Sequence, residues 1–370
     1  MLNENIYGEE NTRRCFVFFE KFLSILENDE INNIQDENKL QEILIAKKEL
    51  EKERKKIQTI NLEYNQYVRD ISRFELFNEK IKEAIDNMPA LIFSNTIQDK
   101  FNSKQTAVLC ISDAHNGVEI NMQTVFNEPI NIYSPDILKK RLNKLADTVI
   151  KDYKNNFNYK KLIVFDLGDG IQNILRLSDI AKLKTGVIDS VLQYAEMISQ
   201  FLNKIQNELN IQIEFSCLGG NHSELRLIST GRNWESENLG KVIREFIALR
   251  LKDNQNIKVD PYSDFSFKQI EGINILAIHG DDSKKNINEI SYWEQYHNIT
   301  IDILLMGHFH HQEQISLGYS PTGDKEIIIV PSLIGIDEFS RKNRKLARAG
   351  AKFILFEDNN KTWEKVIYLN

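Results

Sequence analysis

The sequence predicts an α/β fold that carries a helical arm on its N-terminal side, and three observations predict it. Glycine is absent between Gly8 and Gly117, and Pro89 is the sole proline before Pro129, so the first hundred residues lack helix breakers. From Gln105 onward, short β-branched runs alternate with longer helical patterns, the texture of layered sheets with helices outside. Five of the seven histidines stand in short motifs that each follow an apolar run, and loops beyond strand ends are where such folds gather ligands.

The arm comes first. Residues 12–27 (TRRCFVFFEKFLSILE) are apolar enough to pack as a helix. From Leu40 to about Asn87 the pattern lengthens. Ile57, Ile60, Tyr64, Tyr67, Ile71, Phe74, Ile81 and Ile85 recur at alternating steps of three and four, with Asn78 interrupting, which is heptad-like spacing. The segment KKELEKERKK (47–56) is almost wholly charged and reads as a solvated section of the same helix. Two readings stay open: a helix packed on its own domain, or a coiled-coil-like arm over residues 1–100 that makes a homodimer or meets a protein partner. Residues 88–104 connect it to a domain over 105–370.

In that domain strands are expected at 106–112, 161–167, 211–218, 273–279, 302–307, 326–333, 352–357 and 365–369. Ser134-Pro135-Asp136 begins a helix, with serine as cap and proline in the first turn. Leu138, Leu142, Leu145 and Val149 mark its buried face. Helices are also expected over 187–209 and 234–252.

Hydrophobic residues make up 41% of the chain and charged residues 27%, ordinary for a globular protein. No apolar run reaches the roughly 18–20 residues that span a bilayer, and the first residues show no basic region followed by an apolar stretch. No membrane role is expected. Cys15, Cys110 and Cys217 are sparse and odd in number, which reads as reduced thiols in a cytosolic protein. A net charge of −7 argues against bulk electrostatic coating of nucleic acid but leaves room for a local basic groove.

The motifs carry the chemistry. Asp113 and His115 are two apart, so in extended backbone carboxylate and imidazole face one way and can share one ion. Asp169, after VFDLG, offers a carboxylate that could bridge two cations about 3.5–4 Å apart. In Gly220-Asn221-His222, the amide oxygen can ligate a metal without adding charge, and the imidazole beside it is placed for proton transfer. His279 ends an apolar run, and His308 and His310 alternate after another. Each motif alone is commonplace; a turn, a polar loop or a core histidine would explain it. The ordered series is what points to a cluster, and mixed His, Asp and Asn donors suit Mn²⁺, Fe²⁺ or Zn²⁺ better than Ca²⁺ or Mg²⁺.

With those residues in view, the series resembles the pattern DxH, GD, GNH(D/E), H and GHxH of the calcineurin-like metallophosphoesterase superfamily, over about residues 105–370. The resemblance implies a four-layer α/β/β/α sandwich and two divalent metal ions, Mn²⁺ foremost, with Fe²⁺, Zn²⁺ or Mg²⁺ as alternatives. It implies that Asp113, His115, Asp169 and His310 hold one ion. Asp169, Asn221, His279 and His308 would hold the other, with His222 assisting the leaving oxygen and a metal-bridging hydroxide attacking phosphorus. Two departures stand out. Ser223 intervenes between His222 and Glu224 where the family often has an acid directly after the histidine. The second motif reads GDGIQN where many members have GDxxD or GDxxG. The arm together with SDAHNG, GNHSE and PSLIGIDEFS is most similar to bacteriophage and prophage phosphoesterases that are labelled DNA repair exonucleases by analogy.

The substrate must come from the surroundings. Arg341, Lys342, Arg344, Lys345, Arg348 and Lys352 form the densest basic cluster of the chain, just after the last histidine motif. A solvated face would explain them; a rim that tracks a polyphosphate backbone would too. Arg226 and Arg232 follow the third motif, and Phe339 and Trp234 could stack on bases. The expectation is a nuclease acting on DNA or RNA, with Arg341, Lys342, Arg344 and Lys345 on the substrate. The alternatives are a phosphatase or cyclic-nucleotide phosphodiesterase, and an assembly protein that acts mainly through its arm.

Overall fold

A computed structural model describes residues 37–93, 103–173, 182–226, 233–320 and 323–370. The helix expected over 12–27 lies outside the described residues, as does Arg232. The chain divides into two compact units, Met1–Lys80 and Ile81–Asn370.

Helix α1 runs from Glu37 to Asp86, 50 residues, or about 75 Å at 1.5 Å per residue. The charged stretch lies on it as expected. Three of the heptad-spaced residues, Ile57, Ile60 and Tyr64, are exposed, and so are Leu44, Ile45 and Leu62. The side chains of Tyr67, Ile71 and Phe74 lie outside the described residues.

The larger unit is built on two sheets. The first takes strands β1 (Gln105–Ile111), β4 (Lys161–Asp166), β5 (Gln212–Cys217), β8 (Ile257–Val259), β14 (Gly350–Glu357) and β15 (Asn360–Tyr368) in the order β15-β14-β1-β4-β5-β8. Strands β1, β4, β5 and β8 are parallel, and β14 and β15 are added antiparallel. The second has β9 (Phe265–Ile270), β10 (Ile273–Ile278), β11 (Ile303–Met306), β12 (Glu313–Ser320) and β13 (Gly323–Ile329) in the order β12-β13-β11-β10-β9. Its centre, β10-β11-β13, is parallel and its edges antiparallel. Two hairpins complete the strands: β2 (Ile120–Gln123) with β3 (Pro129–Tyr133), and β6 (Glu224–Arg226) with β7 (Asn233–Asn238).

The two sheets face each other across one apolar core. Val108, Cys110, Ile163 and Phe165 from the first sheet meet Ile275, Ala277, Ile303 and Leu305 from the second. Because strand side chains alternate with period two, Ala107, Leu109 and Ile111 face the other way, and they are just as buried. Helices α2 (Pro135–Asn156), α3 (Val187–Leu209) and α4 (Leu239–Arg250) pack side by side there. Leu276, Ile278, Leu304, Met306, Ile327 and Ile329 form the outer face of the second sheet and bury Ile290 of α5 (Ile287–His297), with Trp293 against them. The result is helix, sheet, sheet, helix: the four-layer α/β/β/α sandwich that the sequence led us to expect.

All eight expected strands are present, within a few residues at their ends. Ser134 caps α2, its side chain accepting from the Ile137 amide at 3.4 Å, and Leu138, Leu142, Leu145 and Val149 are buried. The helix expected over 234–252 begins only at Leu239. Residues 233–238 pair with β6 instead, and the Asn238 side chain caps the helix by accepting from the Gly240 amide at 2.8 Å. Among the described residues, no helix is long and apolar enough to cross a membrane.

Candidate metal centre

Parallel strands deliver their carboxyl ends to one edge, and the histidine motifs follow those ends. Asp113 comes two residues after β1, Asp169 three after β4, Asn221 four after β5, His279 directly after β10 and His308 two after β11. The backbone turns sharply at these points. Asp113, His115, Asp169, His308 and His310 all have positive φ, from 45° to 64°. Each such residue costs roughly 1–2 kcal/mol relative to ordinary backbone, and strain of this kind gathers where side chains must be aimed rather than merely packed. The loops then brace one another. The amides of Asp113 and His115 donate to the carbonyls of Gly168 and Asp169 at 3.1 and 2.9 Å, and the Gly307 amide donates to the His279 carbonyl at 2.9 Å. Asp169 Oδ1 accepts from the His222 amide at 2.7 Å, and Asp113 Oδ2 from the His308 amide at 2.9 Å. Gly220 is obligatory here, because a Cβ on it would run into the Asp169 carboxylate.

Three groups of side chains result, each with ligand atoms within 4.8 Å of one another: Asp113, His115 and His310; His115, Asp169 and His222; and Asp169, His279 and His308. In the first, His310 Nε2 lies 3.1 Å from His115 Nε2 and 3.4 Å from Asp113 Oδ1. In the last, His279 Nε2 lies 3.1 Å from Asp169 Oδ2 and 3.2 Å from Asn221 Oδ1. Asp169 thus stands in two groups. The His222 ring meets the His115 ring edge-on with centroids 4.7 Å apart. Asp113, His115, Asp169, Asn221, His222, His279, His308 and His310 are all brought to this one cluster.

The outer nitrogens show how these rings are held. His115 Nδ1 lies 3.0 Å from Gln172 Oε1 and His279 Nδ1 2.8 Å from the Leu167 carbonyl. His310 Nδ1 faces Asp337 Oδ2 at 3.1 Å, an ion pair when the ring is protonated. With acceptors outside, the Nδ1 atoms each keep a proton and the Nε2 atoms face inward, where a cation would take their lone pairs.

Protonation shows what the cluster lacks. Asp113 and Asp169 are fully buried, yet Asp113 Oδ1 and Asp169 Oδ2 make no aligned hydrogen bond and meet only the Nε2 atoms of His310 at 3.4 Å and His279 at 3.1 Å. Burial alone would push both carboxyls up, but the neighbouring His310 holds Asp113 at about 2 and His279 and His222 hold Asp169 well below the usual range. The counterpart is that His279 and His310 rise to about 10: burial opposes their charge, and Asp169 and Asp113 respectively outweigh it. His222 goes the other way, down to about 3, through burial and the repulsion of His115, His310 and His279, which together exceed the pull of Asp169. Two carboxylate oxygens without an aligned hydrogen bond, facing inward-turned nitrogens, fit divalent cations, which take that donor set and relieve the burial of charge.

The cluster opens into a cleft of about 500 Å³ whose lining includes His115, Asp169, Asn221, His222, His308 and His310. Lys182, Phe339 and Lys342 line it as well, and the Phe339 ring lies 5.0 Å from that of His310. The basic segment splits. A short helix, α6 (Glu338–Lys342), begins it, with a capping box between Asp337 and Ser340. Arg341, Lys342 and Arg344 are exposed. Lys345 is tied to Glu313 at 3.1 Å and to His311 at 3.0 Å. Arg348 is exposed with its guanidinium over the Tyr368 ring at 3.8 Å, whereas Lys352 is buried in β14 against Glu364 at 3.1 Å and does not belong to a rim facing solvent. The side chains of Arg226 and Trp234 lie outside the described residues. Among the described residues, His222 Nδ1 has no hydrogen-bond partner.

Sequence reasoning missed Gln172 and Asp337 as partners of the cluster. Both could have been flagged: Gln172 falls in the irregular GDGIQN motif, and Asp337 has the spacing of a helix cap with Ser340.

A family model described as the YonJ coiled-coil domain matches residues 46–88. The SPbeta prophage-derived uncharacterized protein YonJ of Bacillus subtilis (strain 168) is 29% identical over 355 residues, 95% of this chain and 85% of that one. Among solved structures, a predicted phosphoesterase from Streptococcus pneumoniae TIGR4 is 11% identical, with 72% of this chain and 99% of that chain covered at a TM-score of 0.29. Vps29 complexed with Zn²⁺ from Entamoeba histolytica is 10% identical, covering 71% and 99% at 0.30. A putative 5′-nucleotidase from Staphylococcus aureus is 11% identical, covering 72% and 54% at 0.35.

Proposed function

We propose that this chain is a binuclear metal-dependent phosphoesterase that hydrolyses phosphodiester bonds in nucleic acid. Asp113, His115, Asp169 and His310 hold one ion, and Asp169, Asn221, His279 and His308 hold the other. Mn²⁺ is the first choice on donor chemistry. The observation that carries the reading is the pair of fully buried oxygens on Asp113 and Asp169 that make no aligned hydrogen bond among inward-turned imidazoles. When bound, such ions act as Lewis acids and make a nucleophile of water near neutral pH. The chain's own residues do the rest. The rigid loops hold the donors at fixed positions, so little reorganisation accompanies reaction. His222, kept neutral by burial and by its neighbouring imidazoles, assists the leaving oxygen by donating an N–H hydrogen bond rather than by giving up a proton.

The nucleic-acid substrate is supported by Lys342 and Phe339 on the lining of the cleft and by exposed Arg341 and Arg344 in the same short segment of chain. Cations there follow a phosphate chain and an aromatic face takes a base. The test is a panel of single-stranded DNA, duplex DNA, RNA, cyclic nucleotides and p-nitrophenyl esters with Mn²⁺. Cleavage of nucleic acid that weakens with salt, and less steeply when Arg341, Lys342 and Arg344 are changed to Ala, supports this reading. Activity confined to cyclic nucleotides or small monoesters replaces it with the alternative class.

The arm supports pairing with a second copy. Ile57, Ile60 and Tyr64 lie exposed at heptad spacing in a segment that matches a coiled-coil family model. Ile57→Asp with Ile60→Asp is expected to weaken self-association at least tenfold by sedimentation while small-ester hydrolysis persists. An unchanged oligomeric state removes this seam from the account.

A further inference from the structure

We infer that Gln172 is a positioning residue for the Asp113–His115–His310 group: its side-chain oxygen fixes the tautomer and orientation of His115, so that Nε2 is the atom offered to the ion. This rests on the metal-binding reading above. It concerns a residue that falls where related motifs often carry a carboxylate.

Two independent constraints place Gln172. The loop after β1 and the loop after β4 stay paired beyond the sheet. The Asn116 amide donates to the Gly170 carbonyl at 2.9 Å, and the Gln172 amide donates to the Asn116 carbonyl at 2.9 Å. That pairing fixes the Gln172 backbone beside the residue that follows His115. The side chain is then oriented by its own neighbour. Gln172 Nε2 donates to the Asn173 carbonyl at 3.0 Å, which leaves Oε1 turned toward His115 Nδ1 at 3.0 Å. A carboxamide held this way can only accept from the imidazole. His115 therefore carries its proton on Nδ1, and its Nε2 lone pair faces His310 and Asp113. Gln172 is buried at the inner lining of the cleft.

The acceptor is neutral, and that sets it apart from the other ring of the same group. His310 has the Asp337 carboxylate at its outer nitrogen. One imidazole is thus backed by an amide and the other by an anion, which orients both while adding only one outer negative charge. Outer partners of ligating histidines typically change metal affinity by about 10–100-fold when removed.

The experiment measures Mn²⁺ binding by calorimetry on the full chain, with no dependence on turnover. Gln172→Leu removes the acceptor and is expected to weaken one of the two binding events by about 10–100-fold. Gln172→Glu keeps an acceptor and is expected to retain binding within about tenfold of the wild type. Equal affinity in Gln172→Leu and the wild type overturns the inference alone. Loss in both variants overturns it too, since the acceptor is then not what matters. A wild type that binds no divalent ion overturns the metal-binding reading, and the inference with it. A second measurement needs no variant. Ring ¹⁵N spectra of the metal-free protein are expected to show His115 as the Nδ1–H tautomer, and the Nε2–H tautomer there contradicts the assignment.

Discussion

Glu214 and Asp169 are both carboxylates drawn in from solvent, one in β5 and one beyond the end of β4, but their surroundings differ in kind. Glu214 is fully answered. Lys161 Nζ reaches Oε1 at 2.5 Å and Lys268 Nζ reaches Oε2 at 2.8 Å, while Lys268 also meets Asp260 at 2.7 Å and Ser216 donates to Asp260 at 2.7 Å. Asp169 has one oxygen tied to a backbone amide, while the other meets only the His279 imidazole at 3.1 Å and makes no aligned hydrogen bond. A polar cluster that serves the fold closes on itself, because an unpaired buried group costs stability. A cluster that serves a ligand leaves acceptors open and accepts the cost.

The comparison can be broken most directly at Asp169. Asp169→Asn removes the carboxylate shared by two groups, and hydrolysis is expected to fall by about 10²–10³-fold, the size typical of losing one electrostatic stabiliser. Near-normal turnover would place the chemistry elsewhere.

A smaller effect follows from the protons that stand in for cations. His279 and His310 are raised to about 10 by Asp169 and Asp113, so below that pH an ion must displace protons. Binding is expected to release protons and to tighten as pH rises from about 6 to 9, by up to about tenfold per unit for each proton released. Calorimetry in buffers of different ionisation enthalpy reads this, and an enthalpy independent of buffer would contradict it.

Glu214 is expected to act on stability instead. Burial would raise its carboxyl, but Lys161 and Lys268 hold it at about 2, below its ordinary 4.5. A depressed carboxylate stabilises the fold above its unfolded value, and the contribution fades as pH falls from about 4.5 toward about 2. Glu214→Gln is therefore expected to lower stability by about 1–3 kcal/mol near neutrality, with the gap to wild type closing in acid and metal binding unchanged. A gap that stays constant with pH would remove the electrostatic cause.

The smallest effect belongs to His297, a histidine outside every group. Its ring stacks on Trp293 at 5.5 Å and tilts against Phe265 at 4.6 Å. His297→Ala is expected to cost about 0.5–1.5 kcal/mol of packing and to leave metal stoichiometry as it was. Loss of an ion in this variant would mean the cluster is drawn too narrowly.

Much of this was legible in the sequence because strand and metal motifs are local. β4 reads as a buried strand from KLIVFDL, and Asp169 follows within three residues, so position along the chain gave position in space. The eight strongest apolar runs are all strands for the same reason. What stayed hidden depends on pairing across long separations. β7 was read as the start of a helix because Trp234 to Asn238 has no alternating apolar pattern, and only its pairing with β6 makes it a strand. Lys352 was grouped with exposed cations, but its partner Glu364 lies on the neighbouring strand β15. Gln172 is marked in the sequence only by the irregular GDGIQN motif, and its contact with His115 exists only once two loops are paired.

The most direct test is a count of Mn²⁺ ions bound per chain in the intact protein and in Asp169→Asn, read alongside hydrolysis of a phosphodiester. Two ions and metal-dependent cleavage in the intact protein, with at most one ion and cleavage reduced by about 10²–10³-fold in the variant, is the predicted result. Equal ion counts in both, or cleavage near the wild-type rate in the variant, would contradict the account.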